Sequence, residues 1–209
     1  MSINHINDAP RFDGQTALVT GATNGLGRAS SFELVKQGVE TLIMGVRNVS
    51  QGETLKSELL ALAPQVPVHV VQLQLDDFSS VVAFSNHVTS LTSRLDIDVL
   101  NAGVGGYDSK LSKSGHENIM QVNAYSNTLL VLELLPLLEQ IAKERSRPSR
   151  LTWVGSFVQM DHGLTKKPLA PGVSVMNQLD DVNRLVKTRY QDSKLMTTFV
   201  VERLVSDVN

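Results

Sequence analysis

Apolar and polar positions along the 209 residues follow two alternating periods. Short runs rich in β-branched and aliphatic residues read as five strands: QTALVTG (15–21), ETLIMGV (40–46), PVHVVQLQL (67–75), IDVLNAG (97–103) and SRLTWVGS (149–156). Between them the spacing turns helical. One helix is predicted from Leu26 to Gln37, and a second over 51–63, where Leu55, Leu59 and Leu62 fall on one face. A third is capped by Asp77 and runs to about Ser93, a long fourth covers roughly Lys113 to Arg145, and a last runs from about Val182 to Asp207. Strands joined through helices of this length need crossover connections, which implies a parallel sheet with helices on both faces. No repeat or linker divides residues 1–209, so the expectation is one doubly wound α/β domain. Segment 157–181 breaks every period with Gly163, Pro168, Pro171 and Gly172, and reads as a long loop. Loops of that length are more often functional than idle.

Composition narrows the classes. The chain is 42% apolar and 19% charged, as in an ordinary globule, and its net charge of −2 gives no electrostatic case for nucleic acid or an anionic membrane. Absence of cysteine excludes disulfides, thiol catalysis and cysteine-ligated metals, and fits a reducing compartment. The opening MSINHINDAPRFDG has no apolar core, so no secretory signal is expected there. Leu129 to Leu138 is the most apolar run, about half of the roughly 20 residues that span a bilayer, and Glu133 and Pro136 interrupt it. A cytoplasmic protein is the expectation. The five histidines share no metal-ligand spacing, and Asp76–Asp77 and Asp180–Asp181 read as helix starts.

TGATNGLG (20–27) stands where the first strand turns into the first helix, with Gly21, Gly25 and Gly27 set around Asn24 and Leu26. Missing side chains allow a sharp turn and let a pyrophosphate approach the N–H groups and positive dipole end of the helix, as in Rossmann-type folds. The second strand ends in MGVRN: Gly45 supplies no carboxylate for ribose hydroxyls, whereas Arg47, with Arg28 as a second candidate, offers a fork for a 2′-phosphate. NADP(H) is therefore favoured over NAD(H).

Tyr190 and Lys194 stand four apart in YQDSK, on one face of the last helix. Tyrosine is a poor acid–base group at neutral pH until a cation favours its phenolate, and a lysine one turn away supplies that cation. With TGATNGLG, LNAG (100–103), QVNAYS (121–126), WVGS (153–156) and YQDSK in this order, the chain resembles the short-chain dehydrogenase/reductase family along nearly its whole length. The resemblance implies an oxidoreductase that interconverts a ketone and a secondary alcohol by hydride transfer. Tyr190 would be the acid–base group, and Lys194 would hold the nicotinamide ribose and assist the tyrosine. Ser156 would hydrogen-bond the substrate oxygen, Asn123 would hold a water in the proton relay, and Asn101, Ala102 and Gly103 would border the cofactor. The phrasing of LIMGVRNVSQGE and ENIMQVNAYSNTLLVLELLP is most similar to fungal members of natural-product pathways, implying a small apolar carbonyl or alcohol as substrate and a homo-oligomer built on the long helices.

Three features depart from the family pattern. Gln74 replaces an adenine-contacting aspartate, and Leu100 replaces the first asparagine of the NNAG element. The third is that only 15 residues follow Lys194, where family members continue through further strands. The fifth strand is accordingly expected at the edge of the sheet, in a fragment, in a chain covered by a partner, or in one that has left its ancestral chemistry. The alternatives to the oxidoreductase are a non-redox isomerase or cyclase on the same scaffold, and an inactive nucleotide-binding or assembly module.

Overall fold

The computed structural model describes residues 11–106, 110–145, 148–184 and 186–208, so most of the opening segment MSINHINDAPRFDG lies outside the described residues. Five strands form one parallel sheet in the order β3-β2-β1-β4-β5: β1 (Thr16–Thr20), β2 (Thr41–Val46), β3 (Val68–Gln72), β4 (Ile97–Leu100) and β5 (Arg150–Trp153). The alternating side chains of these strands explain why the sheet is covered twice. Ala17, Val19, Leu42, Met44, Val46, Val68 and Ile97 join Leu34, Val35, Leu55 and Leu59 in one cluster, so α1 (Gly25–Lys36) and α2 (Val49–Leu62) close that face. Leu18, Ile43 and Leu100, which point the other way, are also fully buried. A parallel sheet buried on both faces is a doubly wound α/β fold of Rossmann type. β5 is an outer strand, as expected, with Arg150 and Thr152 exposed.

Asp98 stands out in this apolar setting. It is fully buried on β4, in register with Leu18 of β1 and Leu151 of β5, and neither carboxylate oxygen has a hydrogen-bond partner among the described residues. Burial pushes its pKa up to about 7.

The helices differ from their predicted limits for local reasons. Leu62 is 48% exposed, so the buried stripe of α2 is Gly52, Leu55 and Leu59 and its last turn leaves the core. α3 (Phe78–Leu91) starts where expected: the Asp77 carboxylate accepts from the N–H and hydroxyl of Ser79 at 2.9 and 2.6 Å, which holds its pKa below the usual range. The long helix begins at Asn118 and not at Lys113. Gly115 takes a positive φ of 84°, and Glu117, with non-helical backbone, caps the helix by accepting from the N–H of Met120 at 2.9 Å. From α4 (Asn118–Met120) the chain winds through a π turn, Gln121–Tyr125, into α5 (Ser126–Arg145), which carries Pro136. Segment 157–181 is not one loop. It holds a 3₁₀ turn, Phe157–Asp161, and a short α6 (Val175–Leu179). The last helix, α7 (Arg189–Val208), starts later than Val182, after a 3₁₀ turn at Val186–Thr188. Asp180 therefore ends α6 and does not open the last helix.

By contacts the chain divides into two compact units. One comprises Met1–Leu73, Asn86–Asn101 and Leu135–Trp153, and the other Gln74–Ser85, Ala102–Leu134 and Val154–Asn209.

Candidate active site

The first unit carries the glycine loop. Gly21 follows β1 with φ of 65° and donates its N–H to the Gly45 carbonyl at 2.8 Å, so the turn is tied to the end of β2. Gly25, also at positive φ (52°), opens α1. A Cβ at Gly27 would lie 2.4 Å from both the Gly21 carbonyl oxygen and Asn101 Nδ2, so only glycine fits there. Asn101 is the reason for that crowding. Its Nδ2 donates to the Thr20 and Gly21 carbonyls at 3.1 and 3.2 Å, and its N–H to the Thr20 hydroxyl at 3.1 Å, binding the end of β4 to the loop. Asn24 occupies the cap position of α1 in extended backbone without a side-chain cap bond, and Asn24, Gly25 and Leu26 are exposed. The first turn of α1 thus presents N–H groups that no side chain caps, the arrangement that receives an anion.

The two candidate arginines separate. Arg28 is engaged: its guanidinium pairs with Glu58 and lies 4.8 Å from the ring centroid of Phe32. Arg47, just past the buried Gly45 and Val46, is exposed and has no hydrogen bond or ion pair among the described residues. Of the two, Arg47 is the cation left open to a ligand.

The second unit brings together the catalytic candidates. Lys194, 5% exposed, donates from Nζ to the Val154 carbonyl at 2.8 Å and stands 5.7 Å from the Tyr190 ring centroid. Burial lowers its pKa from the ordinary lysine value. Tyr190 is half-buried, its ring beside Gly105. Ser156, also half-buried, precedes the 3₁₀ turn that packs on α7, and its hydroxyl makes no hydrogen bond among the described residues.

Asn123 sits in the π turn and is 1% exposed. Its Oδ1 accepts from the N–H of Val104 at 2.8 Å, while Nδ2 donates to the Val104 carbonyl and the Ser193 hydroxyl, both at 2.9 Å. Those three bonds use both amide hydrogens and one lone pair. In the structure Asn123 braces the segment after β4 against α7, with one acceptor position left over. Gly103 is packed to match, since a Cβ there would lie 3.1 Å from Asn123 Oδ1 and 3.8 Å from Lys194 Nζ. Ala102 accepts from Asn127 Nδ2 at 3.3 Å.

Sequence reasoning missed the groups that hold these residues in place. Ser193 and Val154 lie inside YQDSK and WVGS but at positions to which no role was given, and Asn127 lies just past QVNAYS. Asp192, 1% exposed inside YQDSK, accepts from the N–H of Gly163 at 2.6 Å and the Thr188 hydroxyl at 3.1 Å, fastening segment 157–181 to α7. Its position within the motif was the available hint. Gln74, at the family's aspartate position, accepts from Lys113 Nζ. Among the described residues no helix is long and apolar enough to cross a membrane.

The family model described as short chain dehydrogenase matches residues 15–148. The short chain dehydrogenase sol3 of Alternaria solani is 41% identical over 199 residues, which cover 95% of this chain and 68% of that protein. The short-chain dehydrogenase/reductase tropG of Talaromyces stipitatus is 36% identical, covering 93% of this chain and 61% of its own length. For the short chain dehydrogenase macD of Penicillium terrestre the figures are 36%, 91% and 60%. The chain thus spans about three-fifths of the length of tropG and macD. Among solved structures, the NADP active-site complex of Pseudomonas aeruginosa RhlG superposes with a TM-score of 0.69 at 22% identity, over 95% of this chain and 67% of that one. A metagenomic short-chain oxidoreductase in complex with NADP gives 0.68 at 22% identity, over 94% and 77%. At such identity those two likenesses establish the fold alone. The family match and the fungal relatives go further: this chain belongs to the short-chain dehydrogenase family.

Proposed function

We propose that the protein is an NADP(H)-dependent oxidoreductase that interconverts a ketone and a secondary alcohol, acting on an apolar substrate of a fungal natural-product pathway. The observation that carries this reading is the placement of Tyr190 beside a buried Lys194 anchored on the Val154 carbonyl, in the same unit as a Ser156 hydroxyl that has no partner among the described residues. The glycine loop fits a dinucleotide, because Gly27 lets the first turn of α1 pack tightly against Gly21 and Asn101 and, among the described residues, no side chain caps α1. The diphosphate is assigned to the N–H groups at Gly25, Leu26 and Gly27, a 2′-phosphate to Arg47, and the nicotinamide ribose to Lys194. When bound, the nicotinamide supplies or accepts the hydride. Ser156 orients the substrate oxygen by donating its hydroxyl hydrogen. The Tyr190 phenol gives that oxygen a proton in reduction and recovers it in oxidation. Phe157 and Met160, 83% and 79% exposed on the turn that follows Ser156, favour an apolar substrate. The pathway assignment rests on the sequence resemblance and on the fungal origin of the relatives.

Titration with NADPH and with NADH, followed by nicotinamide fluorescence, tests the cofactor. Tight binding with preference for NADPH is expected, and no binding by a folded chain would refute the reading. Tyr190→Phe should abolish turnover while leaving NADPH affinity largely intact. Retention of most of the rate would remove Tyr190 as the acid.

A further inference from the structure

Glu117 and Arg189 take no part in the chemistry above, yet they are a charged pair at 0% and 2% exposure. Glu117 caps α4 and so begins the helical run that carries Asn123. Arg189 is the first residue of α7, directly before Tyr190. Its guanidinium donates to the carbonyls of Leu179, Asp181 and Arg184, the last two at 2.7 and 2.6 Å, and thereby satisfies backbone acceptors at the end of α6 and just beyond it. Such a buried cation needs a counter-charge, and the Glu117 carboxylate stands 3.7 Å from its Nε. A second connection strengthens the join: Asp180 accepts from the Glu117 N–H at 3.1 Å and pairs with His116 at 2.7 Å.

The first turn of α7 is therefore held on either side of Tyr190. Arg189 fixes it to the 179–184 turn and to the head of the Asn123 helix, and Ser193 fixes it to Asn123 itself. A helix pinned at two points so close together has its rotation about its own axis set, and the direction of the Tyr190 side chain with it. Neither Glu117 nor Arg189 needs to touch a substrate for this.

We propose that Arg189, held by Glu117, is a positioning residue for the Tyr190–Lys194 pair. Its catalytic consequence rests on the dehydrogenase reading above, but the geometric one does not. The full chain carrying carbon-13 at tyrosine Cζ should give three resonances, one per tyrosine, and Tyr190→Phe identifies the relevant one. Arg189→Lys keeps the charge and loses the planar fork, whereas Glu117→Gln keeps the shape and loses the charge. Each is expected to bind NADPH within about threefold of the parent and to displace the Tyr190 resonance. Each should also lower kcat for NADPH-driven reduction of the diketone benzil by about 10- to 100-fold with a much smaller change in KM. Should a single variant lose its cooperative melt, the double variant Glu117→Gln, Arg189→Gln removes both charges together while keeping an amide donor for the backbone carbonyls and an amide oxygen for the Met120 N–H. Its Tyr190 resonance should still be displaced. A folded variant with an unmoved Tyr190 resonance, or with unchanged kcat on an active parent, overturns the proposal. A parent that fails to reduce benzil counts against the proposed function only, and the tyrosine resonance then decides the positioning role alone.

Discussion

Asp98→Val exposes the energetic consequence of the lone buried carboxylate in β4. The carboxyl titrates at about 7 in the folded chain against 3.8 for the free group, and burial alone is the cause. Because the folded-state value is raised, its stabilising contribution is fully present below about pH 4 and declines as the pH rises, until it is lost above about pH 7. The whole shift of roughly three units corresponds to about 4 kcal/mol. Between about pH 5 and about pH 8 the part still in play is about 2.5 kcal/mol, so the variant should gain that much on the parent over this interval. Valine suits the position, being apolar, β-branched and close in volume, between Leu18 and Leu151 in register. Urea unfolding followed through Trp153, the single tryptophan, at both pH values for both proteins gives the difference directly. Asp98→Asn serves as the control, since it removes the titration but keeps an unsatisfied amide, and should flatten the pH dependence with little gain in stability. If the gap between parent and Asp98→Val is the same at both pH values, Asp98 is not the isolated protonated acid that its surroundings imply.

Gly27→Ala should destabilise the chain by about 1–3 kcal/mol through the clash with Gly21 and Asn101, and should weaken NADPH binding more than it lowers the melting temperature; thermal melts and fluorescence titration check both. Arg47→Ala should reduce NADPH affinity about 10- to 100-fold, the range for a lost hydrogen bond to a charged group, while NADH affinity barely changes. Equal losses for the two cofactors would remove Arg47 from the 2′-phosphate. Asn123→Ala leaves the Val104 N–H and carbonyl without their side-chain partner and should cost about 2–4 kcal/mol in chemical unfolding, so a neutral effect would mean the brace is dispensable.

How far the chain could be read in advance varies with the distance between interacting residues. The strands were legible because each is a short run of β-branched and aliphatic side chains ending near a glycine or a turn, and a parallel sheet buried on both faces demands that pattern. Tyr190 and Lys194 were legible because one helix carries both. The two short helical turns at Phe157–Asp161 and Val175–Leu179 were not, since five residues are too few to display a helical period. The start at Asn118 was hidden because polar residues fill 112–117 whether or not they are helical. It depends on the backbone at Gly115 and on the Glu117 cap. Leu62 met the spacing rule but lies in the last turn of α2, where the sheet no longer covers it. The Asn123–Ser193 and Glu117–Arg189 contacts join segments far apart in sequence, and no local pattern announces them.

The π turn at Gln121–Tyr125 has an implication for engineering this chain. Such a turn is equivalent to one residue inserted into an α-helix, and one residue in a helix is worth about 100° of azimuth. Removing a single residue between Gln121 and Tyr125 would therefore let the segment relax to an uninterrupted α-helix with good backbone bonding. The same deletion would swing everything upstream by that angle, turning Glu117 away from Arg189 and bringing a different side chain to face Val104. A one-residue deletion that preserves helix content and yet uncouples the two ends of this segment would be a frameshift in three dimensions, silent to circular dichroism and visible only in what the helix presents to its neighbours.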